Sequence, residues 1–305
     1  MLLLAPKDFV RSSAALGAAC TVAEAQAYTR WLATHHYENF HVVSWLLPNR
    51  LHQDFYNVYA YCRWADDLGD EMGDTAESLR LLAWWREELQ AMYAGEARHP
   101  VFAALRGTVE RYSIPQQPFD DLIRAFEQDQ RVTRYRDWAE LFGYCRFSAN
   151  PVGHLVLYLC GYPDAERQKL SDATCTALQL ANFWQDVTVD WEKGRVYIPL
   201  AVLERHGSGL DDISRRQATP AFRAAVREIV EQARQLFVEG LPLAGMVDRR
   251  LAVDIGLFSR GGMRILDKIA GQNYDVLSRR PSISKTERAW LLLGTLARAA
   301  LMRAA

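Results

Sequence analysis

Apolar residues recur at intervals of three and four along nearly the whole chain, and hairpin signals are missing. This periodicity predicts helices over residues 21–35, 50–72, 75–93, 100–112, 118–130, 138–159, 164–191, 219–239, 246–274 and 284–302. The breaks carry turn chemistry, as in Gly73-Asp74 ahead of Thr75 and in Ser113-Ile-Pro115-Gln-Gln-Pro118. Pro151 lies inside the 138–159 pattern, removes a backbone donor and should kink that helix. No fixed-period repeat is visible. The expected fold class is all-α, one helical domain over residues 1–305 with 1–20 as a loosely ordered lead.

Two of the predicted helices carry paired acids among aromatic residues. In Tyr59-Ala-Tyr61-Cys-Arg63-Trp-Ala-Asp66-Asp67-Leu-Gly-Asp70-Glu71, Asp66 and Asp70 stand four apart and share a face. In the stretch from Gln179 to Asp190, Asn182, Asp186 and Asp190 are again four apart, and one continuous helix would put them on one face. Close carboxylates repel by about 4 kcal/mol per pair at a surface-like dielectric unless a cation lies between them. A solvated acidic face is the ordinary meaning of such spacing, but Trp64, Phe183 and Trp184 flank these acids. Hard oxygen ligands suit Mg²⁺, which shares carboxylates with substrate phosphates. The expectation is a pocket between two helices that holds a phosphorylated substrate through metal.

These stretches resemble the two aspartate-rich motifs of the squalene and phytoene synthase family, with Asp66-Asp67-x-x-Asp70 as the first and Asp186-x-x-x-Asp190 as the second. The resemblance covers nearly the whole chain and implies an isoprenoid-synthase helical bundle with a central cavity. It implies Mg²⁺, or Mn²⁺, on Asp66, Asp70, Asn182, Asp186 and Asp190. It also implies aromatic faces at Tyr59, Tyr144 and Phe183 to stabilise a carbocation. Arg63, Arg195, Tyr197, Arg279 and Gln179 are the expected contacts to substrate or diphosphate. Arg146, read as a buried arginine, would demand an anion, and Gly153 would let a flat hydrocarbon approach the backbone.

Departures from the family pattern narrow the reaction. Glu38-Asn39-Phe40 stands where the family carries Ser-x-Ser-Phe, and the His36-Tyr37-Glu38-Asn39-Phe40 run resembles the hydroxysqualene synthase branch. Of the Tyr-x-x-x-Val-Ala-Gly-x-Val-Gly pattern, Tyr144, Ala149, Val152 and Gly153 remain, while Arg146, Ser148, Asn150 and Pro151 again resemble that branch. Gln185 precedes Asp186, where many relatives have arginine. The implied substrate is presqualene diphosphate, received from its synthase, ionised with metal, captured by water and handed on to a hydroxysqualene reductase. Condensation of farnesyl or geranylgeranyl diphosphates is the rival within the family, and a non-catalytic assembly factor the rival outside catalysis.

Composition trims the remaining options. The net charge is −1 with a pI near 6.7, so nothing suggests nucleic acid. Gly207-Ser-Gly209 follows no strand, so no dinucleotide fingerprint is present, and the reaction implied by the resemblance needs no hydride donor, so no NADPH is expected. Five scattered cysteines without Cys-x-x-Cys spacing suit reduced thiols in a cytoplasmic protein. No apolar run is long enough to span a bilayer, so any membrane contact would be peripheral, on the inner face. Glu38-x-x-His41 and Glu96-x-x-His99 superficially fit a carboxylate di-iron bundle, although the second lies between Gly95 and Pro100 at a predicted helix end.

Overall fold

The computed structural model describes residues 3–12, 20–35, 47–284, 286–287, 290–292 and 294–295. Helices follow one another in the order α1 Pro6–Phe9, α2 Val22–His35, α3 Asn49–Asp70, α4 Thr75–Tyr93, α5 Pro100–Tyr112, α6 Gln117–Asp129, α7 Trp138–Ser148 and α8 Asn150–Leu159. They continue with α9 Ala165–Gln185, α10 Val187–Glu192, α11 Leu200–Arg205, α12 Leu210–Ser214, α13 Pro220–Gly240, a 3₁₀ turn Leu241–Gly245, and α14 Arg249–Gly271. The all-α expectation holds. Among the described residues, the only β pairing is an isolated parallel bridge between Arg134 and Val196.

Helix starts follow capping chemistry. Asp74, Asp137, Asp164, Thr219 and Asp248 each accept a backbone N–H of the first turn that follows them, satisfying donors with no partner inside the helix. The 138–159 stretch breaks at Ala149, as its proline required. The expected continuous helix over 164–191 does not form: α9 ends at Gln185, and Asp186 lies between α9 and α10. The short helices α11 and α12 have too few residues to show a periodicity.

Internal packing divides the chain into two compact units, Met1–Arg131 with His154–Pro163, and Val132–Gly153 with Asp164–Ala305. In the first, α3 runs through a core of large rings. Trp64 stacks on Trp85 at 5.0 Å with planes 8° apart, and His99 meets Trp64 edge-on at 4.4 Å. Polar residues of the same helix are tied in: Asn57 takes the Thr29 hydroxyl and donates to the Ala104 carbonyl, while Asp54 accepts from Thr108 and Arg111. These bonds fix α3 against α2 and α5, so the face carrying Asp66 and Asp70 is rigidly placed.

In the second unit, α9 packs along α13, and the buried Trp184 donates its ring N–H to the Ile229 carbonyl at 3.1 Å. Residues 133–136 lie beside 196–201, joined by Val196 N–H to Thr133 O, Leu200 N–H to Tyr135 O and Ala201 N–H to Arg136 O. Among the described residues, no helix is long and apolar enough to cross a membrane.

Candidate active site

Tyr59, Arg63, Asp66 and Asp70 occupy successive turns of one face of α3. Arg63 is mostly buried and pairs with Asp67, whose side chain is only 3% exposed. It also lies 3.7 Å from Asp66 and 3.6 Å from Glu71. The guanidinium thus lies against Asp67, with Asp66 and Glu71 also within ion-pair reach. Asp66 keeps 41% of its side-chain surface accessible and Asp70 is exposed. The acids flanking Asp67 face solvent because α3 buries every third or fourth residue, and Trp64, Asp67 and Leu68 are those residues.

The second acidic stretch is built differently. Gln179, Asn182, Asp186 and Asp190 still fall on successive turns, because the backbone bonds Asp186 N–H to Asn182 O and Asp190 N–H to Asp186 O bridge the break. Asn182 is exposed, and Asp186 and Asp190 are half-buried. Arg280 reaches Asp186 through its Nε and Nη2, the latter 3.1 Å from Oδ2, a fork geometry suited to a carboxylate or a phosphate. The hydrogen bond to Asp186, followed by the charges of Asp186 and Asp190, holds Arg280 above its ordinary pKa. Next to it, Gln185 Nε2 donates to the Pro281 carbonyl at 2.7 Å. The residue standing where many relatives have arginine therefore fastens the loop that delivers Arg280. Arg279, the arginine expected to contact phosphate, and its neighbour Arg280 are both exposed, and Arg280 is the one that pairs with Asp186.

Behind this stretch lies an aromatic cluster. Phe183 and Tyr197 stack at 3.7 Å with planes 4° apart, and Tyr144 lies 6.2 Å from Phe183 and 5.9 Å from Tyr197. Tyr135 stacks on Tyr197 at 5.7 Å. Tyr197 reaches this place because Gly194, at φ +78°, turns the chain after α10, a backbone region costly for other residues. In that turn Arg195 N–H donates to Asp190 O at 2.8 Å. Arg134 donates to Gly194 O and lies over the Trp191 ring at 5.5 Å. Sequence reasoning missed Tyr135, Arg134 and Arg280. The alternation Arg134-Tyr135-Arg136, matched by Arg195-Val196-Tyr197, was the available signal for the first two.

Two expectations, on Arg146 and Gly153, need correction. Arg146 is exposed, with its guanidinium 5.8 Å from the Phe147 ring centroid, so no buried charge demands an anion there. Gly153 faces α9, and a Cβ at this position would lie 2.2 Å from Ser171 Oγ and 2.7 Å from Cys175 Sγ. Its role is close helix packing rather than a floor for hydrocarbon. The Glu96-x-x-His99 motif does not converge: Glu96 is exposed and accepts from Arg98 at 2.6 Å, whereas His99 is buried among Trp64, Trp84, Trp85 and Phe102. Glu38, Asn39, Phe40 and His41 lie outside the described residues.

Among the described residues, no three His, Cys, Asp or Glu side chains converge on one ion position. The donors on offer are oxygens, two accessible carboxylates in each unit with the Asn182 amide beside one pair. Such a set fits Mg²⁺, which keeps several waters and completes its shell with phosphate oxygens. An all-α chain with two accessible aspartate pairs, a forked arginine on one and stacked rings behind it has the make-up of an isoprenoid synthase.

Comparison with known proteins agrees. The family model described as squalene/phytoene synthase matches residues 33–287, and the chain belongs to that family. It is 33% identical over 257 residues to the hydroxysqualene synthase of Rhodopseudomonas palustris, covering 83% of this chain and 86% of that protein. It is equally 33% identical, over 261 residues, to the phytoene synthase of Thermus thermophilus, covering 84% of this chain and 87% of that one. Among solved structures it is similar to squalene synthase HpnC from Alicyclobacillus acidocaldarius, with 46% identity, a TM-score of 0.80, and coverage of 83% of this chain and 96% of that one.

Proposed function

We propose that this chain is a hydroxysqualene synthase, which ionises presqualene diphosphate, lets the cation rearrange and captures it with water. The observation that carries the reading is the helix break at Ala149. There Ser148 and Asn150 place polar groups where the family pattern has valine and glycine, beside the retained Tyr144, Ala149, Val152 and Gly153. A cation that is to end as an alcohol needs such polarity near its aromatic lining.

Mg²⁺ bound at Asp66 and Asp70, and at Asn182, Asp186 and Asp190, would neutralise charge growing on the leaving diphosphate. Arg280 carries a fork of donors that can exchange the Asp186 carboxylate for a phosphate. Tyr144, Phe183 and Tyr197 offer ring surface to the positive charge left behind. The reaction balances without hydride transfer, so no nicotinamide is required. A head-to-head condensing enzyme supplies the substrate, and a reductase consumes the alcohol.

The equal identity to the Thermus thermophilus phytoene synthase supports a second reading, condensation of two prenyl diphosphates. Incubation with Mg²⁺ and no reductant, with presqualene diphosphate and farnesyl diphosphate in separate reactions, followed by mass analysis of extracted lipid, separates the two. A C30 alcohol from presqualene diphosphate is expected. Presqualene diphosphate or a C30 polyene formed from farnesyl diphosphate would overturn the hydroxysqualene reading.

A further inference from the structure

Asp186 stands between α9 and α10, where an aspartate ordinarily accepts a backbone N–H of the helix that follows it. This one makes no such bond. Its Oδ1 and Oδ2 accept instead from Nε and Nη2 of Arg280, 94 residues further along the chain. One guanidinium thus engages both carboxylate oxygens, and the charge of Asp190 acts on it as well.

Arg280 is fixed at its backbone and wet at its tip. The Arg279 carbonyl accepts from Gln272 Nε2 at 3.0 Å and the Pro281 carbonyl from Gln185 Nε2 at 2.7 Å, so the chain is tied on both sides of Arg280. Asp275 Oδ1 adds bonds from the N–H groups of Leu277 and Ser278. The side chains of Arg280 and Asp186 keep 46% and 27% of their surface accessible, so they can part without stranding a buried charge. The element that can switch is therefore one side chain on a fixed base. A divalent ion on Asp186 would lie beside this guanidinium, and like charges a few ångströms apart repel. Diphosphate removes the conflict, since it offers oxygens to a metal and to a forked arginine at once.

We propose that Arg280 couples metal binding to diphosphate binding: it holds Asp186 until a diphosphate accepts its fork, and then releases the carboxylate to a divalent cation. This rests on the metal-assisted departure of diphosphate in the proposed function, and not on which lipid product forms. The coupling is reciprocal, so diphosphate tightens metal binding and metal tightens diphosphate binding by the same factor.

The test reads binding rather than turnover. Mn²⁺ stands in for Mg²⁺, and the electron paramagnetic resonance signal of the free ion measures its binding to the full chain without diphosphate. Arg280→Gln should bind Mn²⁺ about tenfold more tightly than the wild type, within the usual range for coupling between sites. Calorimetry with inorganic diphosphate at saturating Mg²⁺ should show the opposite, an affinity about tenfold weaker. Loss of a phosphate contact alone would give the second change and not the first. Arg279→Gln removes an equal charge that is not on Asp186, and its Mn²⁺ affinity should stay within about twofold of the wild type, because salt screens an exposed charge that is not in contact. Arg280→Met gives the same readouts should the glutamine variant not fold. Unchanged or weaker Mn²⁺ binding in Arg280→Gln, or equal tightening in Arg279→Gln, overturns the coupling alone. Wild-type protein that binds no Mn²⁺, with or without diphosphate, overturns the metal site and the coupling with it, while the lipid product decides the hydroxysqualene reading separately.

Discussion

In each acidic stretch an arginine holds an aspartate, and the two pairs, Arg63–Asp67 and Arg280–Asp186, differ in burial. Arg63 and Asp67 leave 13% and 3% of their side chains exposed, whereas Arg280 and Asp186 leave 46% and 27%. The first pair joins two residues of one helix, a turn apart, and is closed off by α3 packing. The second joins residues 94 apart in sequence and remains wet. A buried pair cannot exchange partners without stranding a charge, while an exposed one can. Arg63–Asp67 is therefore scaffold, holding the helix face from which Asp66 and Asp70 project. Under the proposed function Arg280–Asp186 would be machinery, since both members stay accessible to a diphosphate and its metal.

The sharpest way to break this contrast is Asp186→Ala. Turnover of presqualene diphosphate should fall by about 10²–10³, the range for removing a group that stabilises charge in the transition state. Its urea midpoint should stay near the wild type's, and a variant that turns over normally would remove Asp186 from the site. Next in size is Arg63→Ala, which takes the guanidinium from the buried Asp67 carboxylate at a cost of about 3–5 kcal/mol. Urea unfolding followed by circular dichroism measures it. Arg280→Ala should cost under about 1 kcal/mol in the same assay. Equal losses for the two arginines would erase the distinction between scaffold and machinery.

A buried histidine should make the unit that contains α3 sensitive to acid. His99 is buried among tryptophans, and desolvation lowers its pKa from 6.5 to about 3. The unfolded chain binds a proton on this ring below pH 6.5 while the folded one does not, so the stability is complete above pH 6.5 and declines as pH falls toward 3. The slope is about 1.4 kcal/mol per pH unit. His99→Phe keeps a ring in the cage and should flatten that part of the midpoint-versus-pH curve. An unchanged slope would mean the ring is not held neutral. Gln185→Leu removes the bond to the Pro281 carbonyl and should cost about 1 kcal/mol by urea unfolding.

Much of this molecule was legible in its sequence. Helical periodicity and caps placed α4 at its observed bounds of Thr75 and Tyr93, and gave α3 and α5 to within a residue or two. The spacing of the acids named both faces correctly, because neighbours three and four apart share a face whatever else the chain does. The proline after Asn150 announced a break that the structure contains. The interruption at Asp186 had no such marker: no proline or glycine stands there, and the backbone bonds on either side survive.

Local rules ended where distant residues meet. Arg146 looked buried by its neighbours in sequence and is exposed, and Gly153 looked open and is filled by Ser171 and Cys175. Which of two adjacent arginines turns to Asp186 depends on how Gln272, Asp275 and Arg223 hold the loop from Asp275 to Pro281. The sequence by itself determined the helices, their caps and which acids line each face, because those depend on residues within a turn or two. Only the tertiary structure decided which charges are shielded and which arginine is presented, because burial and pairing are set by elements far apart in the chain.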